Sequence, residues 1–203
     1  PVRGCSYFAF TDPSGGASDS FTLGIAHPKG KRLILDLCRS RRPPFDPHKV
    51  VAEYAHILRR YGLRLVTGDR YSAEWVVSAF QDAGVHYTTS ERTKSELYLE
   101  AQPLFATGAV QLLDNRQLIH ELRQLERRTA RGGKDSVDHP PRAHDDLANV
   151  ACGALVNAID AGPLDLSQAY VTDHGDLREA RDSHLADLGY ARDVDDTGPF
   201  NWR

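Results

Sequence analysis

A chain of 203 residues with 40% hydrophobic content is long enough to bury a core. No apolar run approaches the roughly 18 residues needed to cross a bilayer, and Pro1-Val2-Arg3-Gly4 lacks the order of a signal peptide, so a soluble intracellular protein is expected. Cys5, Cys38 and Cys152 are too scattered for a disulfide framework or a zinc site, and the net charge of −3 hides an asymmetry: residues 162–203 carry nine Asp and Glu against four Lys and Arg, leaving 19 against 21 in the first 161.

The strand-like pattern begins almost at Pro1, as expected of a piece excised from something longer. Residues 6–10 read as a strand that stops at Thr11-Asp12-Pro13-Ser14-Gly15-Gly16. Residues 21–27 and 31–38 are two more β-rich runs around Pro28-Lys29-Gly30, which predicts an antiparallel meander of three strands. Asp46-Pro47 supplies a cap and a first-turn proline, and Val50, Val51, Tyr54, Ile57, Leu58 and Tyr61 follow at helical spacing before Gly62. A strand at 63–67, a helix at 73–83, a strand at 85–88, a helix at 95–105, a short strand at 110–113 and a helix at 116–127 complete a β-β-β-α-β-α-β-α-β-α order. That order predicts an α/β fold, a mixed sheet with a three-strand antiparallel meander plus parallel strands, flanked by helices. A loop over 130–143 and an Ala-rich helix from about 145 to 159 close a domain of residues 1–161; residues 162–203 read as an acidic peripheral tail.

Three places concentrate carboxylates where chemistry is feasible. Asp12 follows the first strand, with Gly15 and Gly16 leaving room for a ligand's backbone, although Asp-Pro-Ser-Gly-Gly is also plain turn chemistry. Asp69 ends a later strand, where it could equally cap the next helix. His144-Asp145-Asp146 opens the last helix; one aspartate there could serve only as a cap, but two adjacent acids create a repulsion that a cation would relieve. Asp36, within a strand, reads as solvent-facing, and Trp75 as a packing residue.

An acid on the first strand of a meander, another after the first helix and a third on a late helix form the pattern of the ribonuclease H-like nucleases. The sequence resembles in particular the nuclease domain of phage and prophage terminase large subunits, over residues 5 to 160, through FTDPSGGASDSFTLGI, VTGDRY with Glu74-Trp75, SELY, LERR and VDHPPRAHDDLANVACGAL. The resemblance implies Asp12, Asp69 and Asp146 as catalytic carboxylates, with Asp145 and Asp19 as further metal ligands and Asp146 preferred over Asp145. It implies two Mg²⁺ or Mn²⁺ ions, because phosphodiester hydrolysis of this kind uses a pair of hard cations held by oxygen. His144, Arg70, Arg128, Lys134 and Arg142 are the expected contacts to phosphate or DNA, and His139 is a second histidine suited to that role.

The implied activity is endonucleolytic cutting of concatemeric double-stranded viral DNA during genome packaging, in the cytoplasm of a bacterial host. No GxxxxGK[ST] loop is present, so the terminase ATPase domain is expected as a partner elsewhere, with the small terminase and portal as further partners and no membrane. Other ribonuclease H-like nucleases, such as junction resolvases, ribonucleases or transposases, use the same metal chemistry. A non-catalytic domain that grips DNA or docks on a portal is the alternative of a different class.

Overall fold

The computed structural model describes residues 1–2, 4–69, 74–129, 133 and 135–160. The expectations for Arg70, Lys134 and the 162–203 tail lie outside the described residues.

The meander forms as the alternation predicts. β1 (Phe8–Asp12), β2 (Phe21–Lys29) and β3 (Arg32–Arg41) pair antiparallel, with Asp12 opposite Thr22 and Lys29 opposite Arg32. β2 runs through Pro28, leaving Gly30 and Lys31 as a two-residue turn with Gly30 at φ 60. α1 (Pro47–Arg60) starts where Asp46 accepts from the His48 amide, as its cap chemistry predicts. β4 (Leu65–Gly68), α2 (Glu74–Asp82), β5 (His86–Thr89), α3 (Lys94–Ala106), β6 (Val110–Gln111), α4 (Arg116–Gln124) and α5 (Asp146–Asp160) follow in the expected order. The sheet order is β5-β4-β1-β2-β3-β6, with β4 parallel to both β1 and β5, and β6 parallel to β3.

Two of the expected elements differ, the helix over 116–127 and the loop over 130–143. The helix read over 116–127 ends at Gln124, Leu125 is extended, and residues 126–129 turn into β7 (Glu126–Thr129), paired antiparallel with β8 (Asp135–Asp138). The buried Leu118, Leu122 and Leu125 keep helical spacing to the end, which is why the pattern overruns. The hairpin has almost no apolar content; cross-strand polar pairs hold it, including Arg127 with Asp135 and Thr129 with Asp135, while Val137 alone anchors it in the core.

Each face of the sheet is covered. Phe10, Ala26, Leu33 and Leu35 pack under α3, α4 and α5, whereas Tyr7, Ala9, Phe21, Leu23, Ile25, Val66 and Tyr87 pack under α1 and α2. In β3 the pairing jumps from Leu35 to Leu37, leaving Asp36 as a bulge residue. The extra residue reverses the alternation, so that Leu33 and Leu35 face one core and Leu37 the other. Asp36 itself is not solvent-facing: its carboxylate meets His27 Nδ1 at 2.5 Å, at the sheet end opposite Asp12. Trp75 is half-buried beside the α1–α2 core, with its ring near that of His48, as a packing residue should be.

Candidate functional site

Parallel pairing of β1 and β4 sends both strands toward the same sheet edge. Thr11 lies opposite Gly68, and the Asp69 amide donates to the Thr11 carbonyl at 3.3 Å, so Asp12 and Asp69 leave the sheet side by side. α5 brings the third acid by lying directly on β1 and β2. A Cβ at Gly24 would sit 2.3 Å from the Val150 carbonyl oxygen, and one at Gly153 would sit 2.3 Å from the Phe10 ring. Only glycine at both positions permits this close seating of helix on sheet. Thr22 then donates from Oγ1 to the Asp146 carbonyl at 3.1 Å, fixing the first turn of α5 over the end of β1. Asp12, Asp19, Asp69, Asp145 and Asp146 all line one cleft of about 910 Å³.

The charge in this cleft is poorly compensated at Asp12. Burial first, and then Asp69, Asp146 and Asp145, together raise its carboxyl to about 7, against the opposing hydrogen bond from the Asn149 amide, which donates from Nδ2 at 2.8 Å. Asn149 is buried on α5, and its Oδ1 has no hydrogen-bond partner among the described residues. Asp146 is also raised, first by burial and then by Asp145 and Asp19, with the Ser20 hydroxyl and His144 acting the other way. Carboxyls raised first by burial and then by one another carry their charge readily only where a cation neutralises it.

Asp145 sits in a different environment. It is 5% exposed, accepts from the Tyr98 hydroxyl at 2.7 Å, and meets Lys94 Nζ at 2.9 Å. Lys94 also reaches Asp138 at 3.0 Å, and His139 Nε2 lies 3.7 Å from Asp145. Asp138, His139 and Asp145 each bring one potential ligand atom to within 4.8 Å of the others, a tighter group than any other acid cluster among the described residues. Nor does Asp145 cap its helix by side chain: Glu121 of α4, 3% exposed, accepts from the Leu147 and Ala148 amides at 2.8 and 3.1 Å. Those amides are the orphan donors that a local cap would satisfy. Neither aspartate is therefore consumed as the cap that the sequence left open.

Of the expected DNA contacts, His144 and Arg128 are exposed and line the cleft, with Arg128 paired to Glu126. Arg142 does not line it; it is exposed on a turn at φ 71. Arg70 and Lys134 lie outside the described residues. His139 lines the cleft, its Nδ1 2.9 Å from the Pro140 carbonyl. Sequence reasoning missed Asn149, Lys94, Asp138 and Glu121. Asn149 carried a signal, since it lies three residues after Asp146 and so on the same helical face.

No protein-family model matches the sequence, and no curated protein matches it. Solved structures do match. The magnesium-bound large terminase nuclease from thermophilic phage G20c aligns at TM-score 0.64 and 19% identity, over 76% of this chain and 82% of that one. The chain has the fold of a large-terminase nuclease domain. The same terminase-nuclease fold aligns with the K428A mutant nuclease domain of the large terminase subunit gp2 of bacterial virus Sf6, crystallised with manganese and beta-thujaplicinol. That match has TM-score 0.55 and 13% identity, over 74% of this chain and 87% of that one. The HK97 bacteriophage large terminase matches at TM-score 0.59 and 14% identity, over 74% of this chain and 39% of that longer one. The fold expected from the sequence, a mixed sheet with an antiparallel meander and parallel strands flanked by helices, is thus the fold observed. Among the described residues no helix is long and apolar enough to cross a membrane.

Proposed function

We propose that the domain is a divalent-metal-dependent endonuclease that hydrolyses phosphodiester bonds of double-stranded DNA, cutting concatemeric viral DNA during genome packaging. The observation that carries this reading is the convergence of Asp12, Asp69 and Asp146 on one cleft, with the Asp12 carboxyl pushed up to about 7 by burial and neighbouring acids. The donor set fits Mg²⁺ or Mn²⁺: Asp12, Asp19, Asp69 and Asp146 offer hard carboxylate oxygens, and no cysteine lines the cleft. Asp12, Asp69 and Asp146 would hold a pair of such ions, with Asp19 and Asp145 nearby. The ions would supply Lewis-acid chemistry: a nucleophile available at neutral pH and countercharge for the leaving oxygen.

The chain's own residues do the rest. Asn149 orients the Asp12 carboxylate through its Nδ2, and Ser20 does the same for Asp146. Arg128 and His144 at the rim contact phosphates, with Arg70, Lys134 and Arg142 as further contacts along the DNA. The same reading gives the domain an ATPase partner on another segment or polypeptide, the small terminase and the portal as assembly partners, and the cytoplasm of a bacterial host as its location.

The test is Mn²⁺-dependent nicking of supercoiled plasmid at low salt. Asp12→Asn and Asp69→Asn are each expected to abolish nicking while circular dichroism and the melting transition stay those of a folded protein. Nicking that survives both substitutions rejects the assignment, and preference for a hybrid or a four-way junction over linear duplex redirects it to another nuclease of this fold.

A further inference from the structure

Two acids adjacent in sequence stand in opposite electrostatic situations, and the difference traces to one lysine. Lys94 is the first residue of α3, placed by the Thr93 cap and its reciprocal partner Glu96. From there its ammonium lies 2.9 Å from Asp145 and 3.0 Å from Asp138. Asp145 has a side chain only 7% exposed, so its charge needs a partner that cannot drift away, and it has two: this ammonium and the Tyr98 hydroxyl. His139 completes a group of oxygen and nitrogen donors whose spacing suits a divalent ion. In the structure the Lys94 ammonium already faces two of these donors, Asp138 and Asp145.

We infer that Lys94 is a positioning residue: it serves as the built-in cation of the Asp138–His139–Asp145 cluster, keeps Asp145 turned toward α3, and excludes divalent ions from that cluster. Asp146, with no lysine of its own beside it among the described contacts, is left to the cleft. Without the ammonium, Asp145 and Asp138 face each other with unbalanced charge and a histidine alongside, and the most available remedy in a Mn²⁺ solution is a Mn²⁺ ion. Losing the lysine therefore creates a competing site beside the working one. The consequence for cleavage rests on the nuclease reading above, whereas the exclusion of cations does not.

Mn²⁺ binding to the full chain, counted by calorimetry and by the loss of free-ion electron paramagnetic resonance signal, tests this. Lys94→Met is expected to bind one more Mn²⁺ per chain than the unmodified protein. Lys94→Arg, which keeps the charge, should bind the unmodified number. Adding Asp138→Asn to Lys94→Met should remove the extra ion. A folded Lys94→Met protein with unchanged stoichiometry overturns the inference; if the methionine variant does not fold, Lys94→Gln is read against the same criterion. The two readings fail separately: an unmodified protein that binds no Mn²⁺ sinks the nuclease proposal, while a gain of one ion on neutralising Lys94 would still stand.

Discussion

The two walls of the cleft contain similar side chains in opposite electrical states. On one wall Asp145 and Asp138 are matched by Lys94, with Tyr98 and His139 close by. On the other, Asp12 meets one neutral amide and three further acids. A buried carboxylate with its partner in place contributes to structure; a partly buried one left without a cation is a cost to folding that persists only where something else uses it. Asp145 and Asp12 are thus distinguished by their surroundings, since both are aspartates that line the same cleft.

The sharpest way to break the comparison is to substitute both acids. Asp12→Asn should lower Mn²⁺-dependent nicking by roughly 10³-fold, the scale on which loss of transition-state charge stabilisation is felt. Asp145→Asn should instead show mainly as lost stability, about 2 kcal/mol in urea unfolding, because it removes the buried charge that Lys94 and Tyr98 share. If both variants lose activity with unchanged stability, the two walls are not different in kind.

Asn149→Ala comes next. It removes the only hydrogen bond of the Asp12 side chain among the described residues and should cost roughly 10- to 100-fold in nicking or in metal affinity, as other groups that orient a metal-ligating side chain do. An effect under twofold would mean that Asp12 is oriented by something else. Glu121→Ala exposes two amide groups at the start of α5 to burial without an acceptor and should cost roughly 2 kcal/mol of stability.

The smallest expected effect is a pH dependence of the metal-free protein. The Asp12 carboxyl is raised to about 7 in the folded state, against its ordinary 3.8 when unfolded. Between those values the folded chain binds more protons than the unfolded one, so this group's contribution to stability is full below about pH 4 and is lost as pH rises through 7. In chelator, Asp12→Asn should remove that decline and leave the protein on the order of 1–2 kcal/mol more stable than the unmodified chain at pH 8. Added Mn²⁺ should stabilise the unmodified protein at pH 8 and leave Asp12→Asn nearly unmoved, measured by melting temperature. A variant destabilised at pH 8 in chelator would show that Asp12 is already compensated.

Much of this arrangement was legible in the sequence because strand and helix patterns alone deliver Asp12, Asp69 and Asp146 to element ends. The turn after β1 and the apolar stripe of α5 are local signals, and the topology follows from their order. Lys94, Glu121 and Asp138 were not legible, since each acts on a partner that only folding brings near: Lys94 on Asp145, Glu121 on the amides of Leu147 and Ala148, Asp138 on Lys94. Read locally, all three are ordinary charged residues on elements with polar faces. The β7–β8 pair was missed for a related reason, because its pairing depends on charges facing one another between the two strands, which no alternation of apolar residues announces.

The seating of α5 through Gly24 and Gly153 has a further consequence. Main chain meets main chain, or main chain meets a ring, with no room for a methyl group between them. The separation between the strand bearing Asp12 and the helix bearing Asp146 is therefore a fixed gauge, indifferent to rotamer choice. Changes in the hairpin or the outer turns could retune which polymer is gripped without loosening the jaws that would do the cutting, so affinity and chemistry could diverge independently in descendants of this sequence.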